Sequence, residues 1–499
     1  MKLFDNDRGI LRLDYLLLLP VLGLAFYIAF IPHQNYPYPL HVDEWVHLAR
    51  SSAIIEEGSI TIIDPFFGQS VVSLSSNLEA SFQMFWGVFQ QLSGLSWMSI
   101  FRYFPGIIFM ITVLSVYILA RREGFGLEAA FFACLIPTTV GILGPAFLVP
   151  VSMGLLFTPL ILFVAFNFRT IRSYLVLFIL ISFLLAIHAP SAISPIIVLT
   201  PYILLNLKGN FKHSLGLALA LSLPFLVTFP WIFELLLPTA RSLFNAQPHT
   251  EFVQLPQLFI VYGYLPIAFC LLGAFYLAMR GKRADYGLIL GLLALLLMLV
   301  TFFTFNYGVS IMYERGLMYM LLIASIIAGA GLTGIRHLKL PERLSAWLKS
   351  PSITRYLNQY LGGLLSLALI IIILLAVIPG RLATPYYYMI DKEDFQTFVW
   401  INENIEDNGK IALLDPWKAT AFTALTGKHI YTRIHMAPFA KDKEAYSFIR
   451  DGSSDSGFLR ENEITLIYTR VYEGMKGNVV YSSNNPDLIE VAPNVYRLK

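Results

Sequence analysis

The fold is decided by residues 14–50, which read DYLLLLPVLGLAFYIAFIPHQNYPYPLHVDEWVHLAR. After Asp14, residues 15–32 carry no charge, and an apolar run of this length can cross a bilayer as a helix. A charged stretch with helical spacing begins at His41. The pattern predicts a first membrane span that leads into a helix outside the hydrocarbon layer.

The rest of the chain continues this pattern. Of its 499 residues, 57% are hydrophobic and 13% are charged, and its mean hydropathy is +0.65. A soluble domain carries roughly 25% charged residues. The composition therefore excludes an ordinary cytosolic enzyme, a disordered chain and a nucleic-acid binder, and it indicates a polytopic α-helical membrane protein.

Apolar runs of spanning length predict about eleven transmembrane helices. They lie at 14–32, 102–120, 128–145, 148–167, 173–189, 191–207, 214–237, 257–279, 285–305, 316–335 and 361–380. The pair of runs at 128–167 is interrupted by Pro137, Gly141, Gly144, Pro145 and Pro150. With the N-terminus inside, the inner segments hold 17 Lys and Arg residues and the outer ones before residue 381 hold four. This bias predicts a cytoplasmic N-terminus and, with an odd number of spans, an extracytoplasmic C-terminal part of a cell-membrane protein.

The composition changes at Arg381, where charged residues and turn formers replace the apolar runs. We expect a transmembrane domain at 1–380, with a large first outer loop at 33–101, and a small extracytoplasmic α/β domain at 381–499. In the latter, the pattern predicts a helix at Lys392–Ile405 and strands at Lys410–Leu414, His429–Ile434, Ile464–Tyr468 and Val479–Tyr481.

The first outer loop opens with a candidate site. Residues 42–55 fit an amphipathic helix on which Asp43, His47 and either Arg50 or Ser51 share one face. A carboxylate in the first turn stays charged beside the helix dipole, and it can accept a proton or help to hold a divalent metal. The alternative is an Asp that caps an interfacial helix, with His47 and Arg50 solvated.

These features resemble the GT-C superfamily of polytopic membrane glycosyltransferases. The resemblance consists of a first span, a long outer loop that opens with Asp43-Glu44 and continues through Gly58 to Asp64-Pro65, many spans and a C-terminal outer domain. Protein O-mannosyltransferases, aminoarabinose transferases and oligosaccharyltransferases are members. The resemblance implies that Asp43 acts as base or metal ligand, with Glu44 beside it and His47 in support.

The resemblance also implies a site for the donor phosphate. Arg315, in Tyr313-Glu314-Arg315-Gly316, is similar to the outer-face arginine that meets the phosphate of a lipid-linked donor, and Glu314 would support it. A guanidinium suits this role because it stays charged and binds two oxygens at once. The alternative is an interfacial arginine paired with Glu314 or reaching to water. His188 and Arg241 are further phosphate-binding candidates, although a histidine at such a turn can also be structural.

The sequence departs from oligosaccharyltransferases at two places. Their second acidic metal motif has no counterpart at Leu143–Pro150, which holds no carboxylate. Their Trp-Trp-Asp-Tyr-Gly motif has its nearest match at Asp415-Pro416-Trp417-Lys418-Ala419. Recognition of a peptide sequon is therefore not expected. Mg²⁺ or Mn²⁺ is the cofactor that the resemblance admits, but a hard cation needs several oxygen ligands.

The sequence thus predicts an inverting membrane glycosyltransferase. Its donor would be a sugar on a polyprenyl phosphate or diphosphate, and its acceptor a glycan, lipid or protein at the extracytoplasmic side. Membrane lipids would surround it, and nucleic acid is not a partner. Two other classes stay open at this stage. One is a transporter or lipid-handling protein with a path along the broken spans, and the other is a catalytically inactive GT-C-like scaffold.

Overall fold

The computed structural model describes residues 8–68, 70–73, 77, 79–139, 143–242, 261–307, 310–338, 351–384, 386–406, 411–432 and 440–499. In chain order, the helices are α1 Arg8–Phe30, α2 Val42–Glu57, α3 Ala80–Ser93, α4 Trp97–Arg121, α5 Gly126–Cys134, α6 Pro150–Asn167, α7 Ile171–Ile187, α8 Ala189–Leu207, α9 Phe211–Ser242, α10 Tyr264–Arg280, α11 Arg283–Phe305, α12 Ser310–Arg336, α13 Pro351–Leu382, α14 Lys392–Asn404, α15 Pro416–Thr426, α16 Ala440–Arg450 and α17 Ser456–Glu461. The strands are β1 Ile62–Ile63, β2 Val71–Val72, β3 Ile411–Leu413, β4 His429–Ile430, β5 Ile464–Tyr468, β6 Arg470–Tyr472, β7 Asn478–Val480, β8 Leu488–Ala492 and β9 Val495–Leu498.

The chain forms two compact units. The helical unit comprises residues 1–31 and 103–384, and the mixed unit comprises 32–102 and 385–499. The division predicted at residue 380 differs from this, because the first loop packs with the C-terminal residues: α2 lies against α15, and the Ile430 N–H donates to the Phe66 carbonyl at 2.8 Å.

The helical unit is that of a multi-pass membrane protein. Within the described residues, eight helices are long and apolar enough to span a bilayer, and α7 and α10 are apolar helices of 17 residues. Ten of the eleven predicted spans are therefore helices. Leucine side chains such as Leu271, Leu297 and Leu375 are largely exposed on them, as expected of surfaces that face lipid.

The segment predicted as a span at 128–145 is only partly helical. Its helix, α5, has nine residues and a length of about 14 Å, which is too short to cross the hydrocarbon layer. The described residues that follow it, 135–139 and 143–149, are buried in the protein. Irregular backbone is tolerated at membrane depth when it is packed inside the protein in this way. Pro137 and Pro145 explain why the helix does not continue.

Charged residues meet at one end of the helical unit, which we call the charged end. Arg280 pairs with Asp285 at 3.1 Å and with Glu123. Arg336 pairs with Glu128 at 2.5 Å. All five residues lie in segments that the sequence predicts to be inner. Helix ends that are distant in sequence therefore meet at one surface, which agrees with the predicted charge bias.

Helix directions follow from the charged end. At its start, α1 places Tyr15 against Arg121, with 2.7 Å between hydroxyl and guanidinium. The start of α5 lies beside Arg336, and α6 ends where Arg122 lies over the Phe168 ring. Because both positions are at the charged end, α6 begins at the opposite end of the unit. A Cβ added at Gly362 would meet the Arg336 carbonyl, so α13 also starts at the charged end. The unit therefore begins at the charged end and finishes at the opposite one.

The mixed unit contains a five-stranded sheet in the order β4-β3-β5-β9-β8. The strands β4, β3 and β5 are parallel, and β9 and β8 add in antiparallel fashion. Leu413, Ile449, Ile464 and Ile467 are among its core residues. The predicted α/β domain is confirmed, with the helix at Lys392 and the strand Ile464–Tyr468 where the pattern placed them; the strand predicted at His429–Ile434 extends beyond the described residues.

A cluster of paired charges holds the start of α14 to the sheet. Lys418 and Asp394 are fully buried and 2.7 Å apart. Arg470 donates to both carboxylate oxygens of Asp391, at 2.6 and 2.7 Å. Burial opposes the charge of Asp391, but hydrogen bonds from Arg470 and Asn478 outweigh it and hold the pKa of that carboxyl well below its usual range.

Candidate functional site

The first turn of α2 is fixed by a reciprocal cap. His41 is the N-cap residue, and its Nδ1 accepts the Asp43 N–H at 3.2 Å. The Glu44 carboxylate accepts the N–H groups of Leu40 at 2.7 Å and His41 at 3.3 Å. At the other end, Gly58 terminates the helix with a left-handed φ of +63°. The predicted helix is confirmed, but the capping side chain is His41 rather than Asp43.

The two neighbouring carboxylates have different environments. Glu44 is fully buried, and its Oε2 accepts two backbone N–H groups, so its position is that of a structural acid. The Asp43 side chain is 22% exposed, and its Oδ2 lies 3.6 Å from His41 Nδ1. Backbone dipoles at the helix start favour its ionised form. Asp43 is thus the more exposed carboxylate of this pair.

The remaining polar residues of the predicted helix face are packed into the mixed unit. His47 is buried, with its ring edge-on to Phe82 at 4.9 Å between centroids. Arg50 lies 3.8 Å from the carboxylate of Asp64, which in turn accepts the N–H of Phe66 at 2.9 Å. The alternative of a solvated His47 and Arg50 is therefore wrong. Both side chains anchor α2 to the segments that follow it.

The segment that most nearly matches the oligosaccharyltransferase motif begins α15. Asp415 is fully buried, and its carboxylate accepts the N–H groups of Trp417 at 3.0 Å and Tyr472 at 2.5 Å. Burial raises the pKa of Asp415 to about 6, although these N–H groups favour the ionised form. Leu413 and Leu414, which precede it, are buried. This aspartate therefore organises backbone and is not presented to a ligand.

A second polar cluster lies in the helical unit, towards the end opposite the charged one. The Tyr319 hydroxyl donates to Ser191 Oγ at 2.6 Å, and Ser191 Oγ lies 2.7 Å from His188 Nδ1. All three residues are buried. A Cβ added at Gly154 would lie 1.8 Å from the Tyr319 hydroxyl, so the absent side chain of Gly154 provides the space for this cluster. Hydrogen bonds thus join α8 to α12 beside α6.

Arg315 belongs to the same neighbourhood. It precedes Tyr319 by four residues, which is one helical turn, and its charge acts on the Tyr319 hydroxyl. The Arg315 side chain is half-buried. Two predicted phosphate-binding residues, His188 and Arg315, therefore lie in the same region of the helical unit, each linked to Tyr319. The side chains of Arg241 and Glu314 lie outside the described part of the structure.

Sequence reasoning did not identify His41, Ser191 and Tyr319. His41 carries a local signal, because a cap residue three positions before Glu44 matches the capping-box spacing. Ser191 follows His188 by three residues, which is also readable. Tyr319 has no local signal, since its contact with Ser191 spans 128 positions of the chain.

The structure is similar to those of several membrane glycosyltransferases. For the Archaeoglobus fulgidus oligosaccharyltransferase AglB with an inhibitory peptide and a dolichol-phosphate, the TM-score is 0.58 at 14% identity, over 92% of this chain and 70% of that one. For ArnT from Cupriavidus metallidurans bound to undecaprenyl phosphate, it is 0.50 at 13% identity, over 89% and 88%. For the mycobacterial arabinofuranosyltransferase AftD, it is 0.56 at 17% identity, over 95% and 37%. The sequence matches no family model and no curated protein.

The chain has the GT-C fold. The predicted resemblance is confirmed at this level, and it covers nearly the whole chain. At sequence identities of 12–17%, the overall fold is retained although short motifs such as the Trp-Trp-Asp-Tyr-Gly pattern are not.

The side chains around Asp43 show whether this chain offers the ligands that a metal ion needs. A. fulgidus oligosaccharyltransferase has been solved with Zn and sulfate. In the described residues of the present chain, no three His, Cys, Asp or Glu side chains converge as a metal site would require. Beside Asp43, the Glu44 carboxylate accepts backbone N–H groups and His41 Nδ1 accepts another. This donor set does not fit a hard divalent cation, which needs several oxygen ligands.

Proposed function

We propose that this chain is an integral membrane glycosyltransferase that transfers a sugar from a polyprenyl-phosphate donor to an acceptor hydroxyl on the extracytoplasmic side. The observation that carries the proposal is Asp43, a partly exposed carboxylate held at the start of α2 in a GT-C fold. The lipid phosphates bound to AglB and ArnT support the class of donor.

The reaction we propose is a single displacement. Asp43 accepts the proton of the acceptor hydroxyl, and the oxygen attacks the anomeric carbon of the donor sugar. The bond between that carbon and the phosphate oxygen breaks, and the lipid phosphate leaves with the electron pair. Because attack and departure occur on opposite faces, the anomeric configuration inverts. Glu44 and His47 act indirectly, by fixing α2.

We assign the leaving phosphate to Arg315, with His188 as a second candidate in the same region. A phosphate is a good leaving group, so a cationic partner suffices and an acid is not required. Arg315→Ala should raise the KM for the donor lipid at least tenfold and leave the KM for the acceptor within twofold. Arg315→Lys should restore only part of the donor affinity, since an ammonium does not form the paired hydrogen bonds of a guanidinium. Equal donor affinity in Arg315→Ala would remove this assignment.

We infer that the charged end is cytoplasmic. The excess of Lys and Arg in segments at that end supports this orientation, and the residues that follow Thr384 would then be extracytoplasmic. Because Cys134 and Cys270 are both buried, single cysteines introduced at Lys208 and at Ser482 can be labelled selectively in intact cells. An impermeant maleimide should label the second and not the first.

Asp43 could act as a ligand of Mg²⁺ or Mn²⁺ instead of as a general base. The capped geometry of α2 supports the role of a base, and removal of metal ions by a chelator distinguishes the two roles. Transfer by a base should persist in excess EDTA, whereas transfer through a metal-bound Asp43 should be lost and return when Mg²⁺ or Mn²⁺ is added.

Cells test the function as a whole. Mass spectrometry of lipid-linked sugars and glycans should compare a deletion strain complemented with wild type or with Asp43→Asn. Loss of the protein should accumulate one sugar-polyprenyl phosphate and remove one sugar from a product, and Asp43→Asn should match the deletion. Identical profiles in all strains would contradict the proposal.

The buried residues at 143–149 give no support to the transporter alternative.

A further inference from the structure

Three aromatic residues of the mixed unit, Tyr387, Trp417 and Tyr472, are partly exposed and follow one another from His41 to the start of α15. We call them the aromatic track. The Tyr387 ring is edge-on to His41, with 5.0 Å between centroids. Tyr387 also lies within electrostatic range of the Tyr472 hydroxyl. The Tyr472 and Trp417 rings are 6.4 Å apart at 71°. The track therefore leads from His41, the cap of the Asp43 helix, to the start of α15.

The backbone beneath the track is held rigidly. The buried Asp415 carboxylate accepts one hydrogen bond from the Trp417 N–H and one from the Tyr472 N–H. Strand β6, which carries Tyr472, also pairs with β7 through Tyr472 and Asn478. A single buried side chain thus fixes two ring-bearing segments that are 55 positions apart in sequence. Such preorganisation lowers the cost of binding a ligand on the rings.

We propose that the aromatic track binds a neutral sugar of the acceptor. This inference rests on the proposed function and names the acceptor class as a glycan. A sugar ring has an apolar C–H face and a rim of hydroxyl groups. Tyr and Trp offer the complement, since each has a flat apolar face and a polar edge and loses little conformational freedom on binding.

Charge near the track favours a neutral ligand. Lys418, next to Trp417, is buried against Asp394. Arg470, two residues before Tyr472, is paired with both oxygens of Asp391. Because both of these described cations are already paired with acids, neither is presented to a phosphate or a carboxylate on the track.

The position of the track also separates a sugar from a peptide. The residues before Asp415 are Leu413 and Leu414, and both are buried in the sheet domain. A paired-tryptophan surface of the kind expected in a sequon-binding motif is therefore not formed by them. At the other end of the track, His41 Nδ1 lies 3.6 Å from the Asp43 carboxylate. A sugar stacked on Tyr387 would present its hydroxyl rim next to the proposed base.

Saturation-transfer NMR on the full-length chain tests the proposal. The protein is placed in nanodiscs, because the sugar headgroup of a maltoside detergent would compete. The probes are neutral disaccharides of glucose, mannose, galactose, arabinose and N-acetylglucosamine, with glucuronic acid and a blocked Asn-Val-Thr peptide for comparison. Trp417→Ala removes the central ring, Trp417→Phe retains an aromatic face, and Trp400→Ala is the matched control on α14.

We expect one or more neutral disaccharides to bind wild type. Trp417→Ala should weaken this binding about tenfold, which is the loss of one stacking contact, while Trp417→Phe stays within threefold and Trp400→Ala is unchanged. The proposal is overturned if no neutral sugar binds, if Trp417→Ala binds as wild type does, or if the peptide or glucuronic acid shows the same dependence on Trp417.

The same experiment with Asp43→Asn separates this inference from the proposed function. Asp43 is assigned to proton transfer, so the sugar should bind to Asp43→Asn within twofold of wild type. If Asp43→Asn also retains full transfer activity, the proposed function fails, while dependence of sugar binding on Trp417 would still stand.

Discussion

His41 Nδ1 accepts the backbone N–H of Asp43 at 3.2 Å and lies 3.6 Å from the carboxylate of the same residue. One imidazole therefore both starts α2 and flanks the proposed base. In this arrangement the backbone N–H of the acid is held by the capping side chain of its own helix. The cap and the Glu44 carboxylate together hold the backbone of this turn.

Replacement of His41 should separate capping from chemistry. In His41→Asn an amide oxygen can accept the same N–H, whereas His41→Ala removes the cap and costs about 1 kcal/mol of helix stability. Hydrogen exchange of the amides at 43–46 should accelerate about fivefold in His41→Ala and stay near wild type in His41→Asn. Transfer activity should fall in the same order. Equal exchange in both variants would show that the cap does not hold this turn.

Gly154 should be intolerant of any side chain. A Cβ there would lie 1.8 Å from the Tyr319 hydroxyl and 2.4 Å from Ser191 Oγ, both of which are buried. We expect Gly154→Ala to destabilise the protein by about 1–3 kcal/mol through overpacking and to raise the donor KM. Gly363→Ala is the matched control, since nothing lies within 4 Å of its Cβ position. Thermal unfolding in nanodiscs checks both variants. Equal unfolding midpoints for Gly154→Ala and Gly363→Ala would contradict the tight packing that we describe at Gly154.

The mixed unit should depend on the Arg470–Asp391 pair in a defined pH range. Asp391 has an ordinary pKa of 3.8 when unfolded and a lower one in the fold. The pair therefore adds stability above about pH 4, and this contribution is lost as the pH falls towards the lowered pKa.

Arg470→Gln should accordingly cost about 2 kcal/mol at pH 7, as expected for hydrogen bonds between charged groups. The difference in free energy of unfolding between Arg470→Gln and wild type should become smaller as the pH drops below 4. Arg497→Gln, which changes an exposed arginine of β9, is the control, and its free energy of unfolding should differ little from that of wild type at any pH. Thermal unfolding of the full chain between pH 7 and pH 3 measures this, and a difference that widens in acid would contradict it.

Hydropathy and charge predicted most of the helical unit, because burial in lipid requires apolar runs and their periodicity is local. The exception is 128–145, where Pro137 and Pro145 break the helix although the residues remain apolar. The sequence could not show that irregular backbone there is packed inside the protein, since that depends on neighbouring helices.

The candidate site was predictable in part for the same reason. Asp43 at the start of a helix and the His188 turn are local features, and both lie where the sequence placed them. The contact of Tyr319 with Ser191 and the packing of α2 against α15 are made by residues far apart in sequence, so no local pattern could reveal them. The role of His47 was likewise set by Phe82, which buries it.

The most direct measurement is single-turnover transfer of sugar from a polyprenyl-phosphate donor by purified Asp43→Asn, with Glu56→Gln as the control. Glu56 is an exposed acid on the same helix, so the two variants remove the same charge from α2. Loss of a general base predicts that the rate in Asp43→Asn falls by at least 100-fold with donor affinity unchanged, while Glu56→Gln transfers as wild type does. A rate in Asp43→Asn within a few-fold of wild type would contradict the central claim.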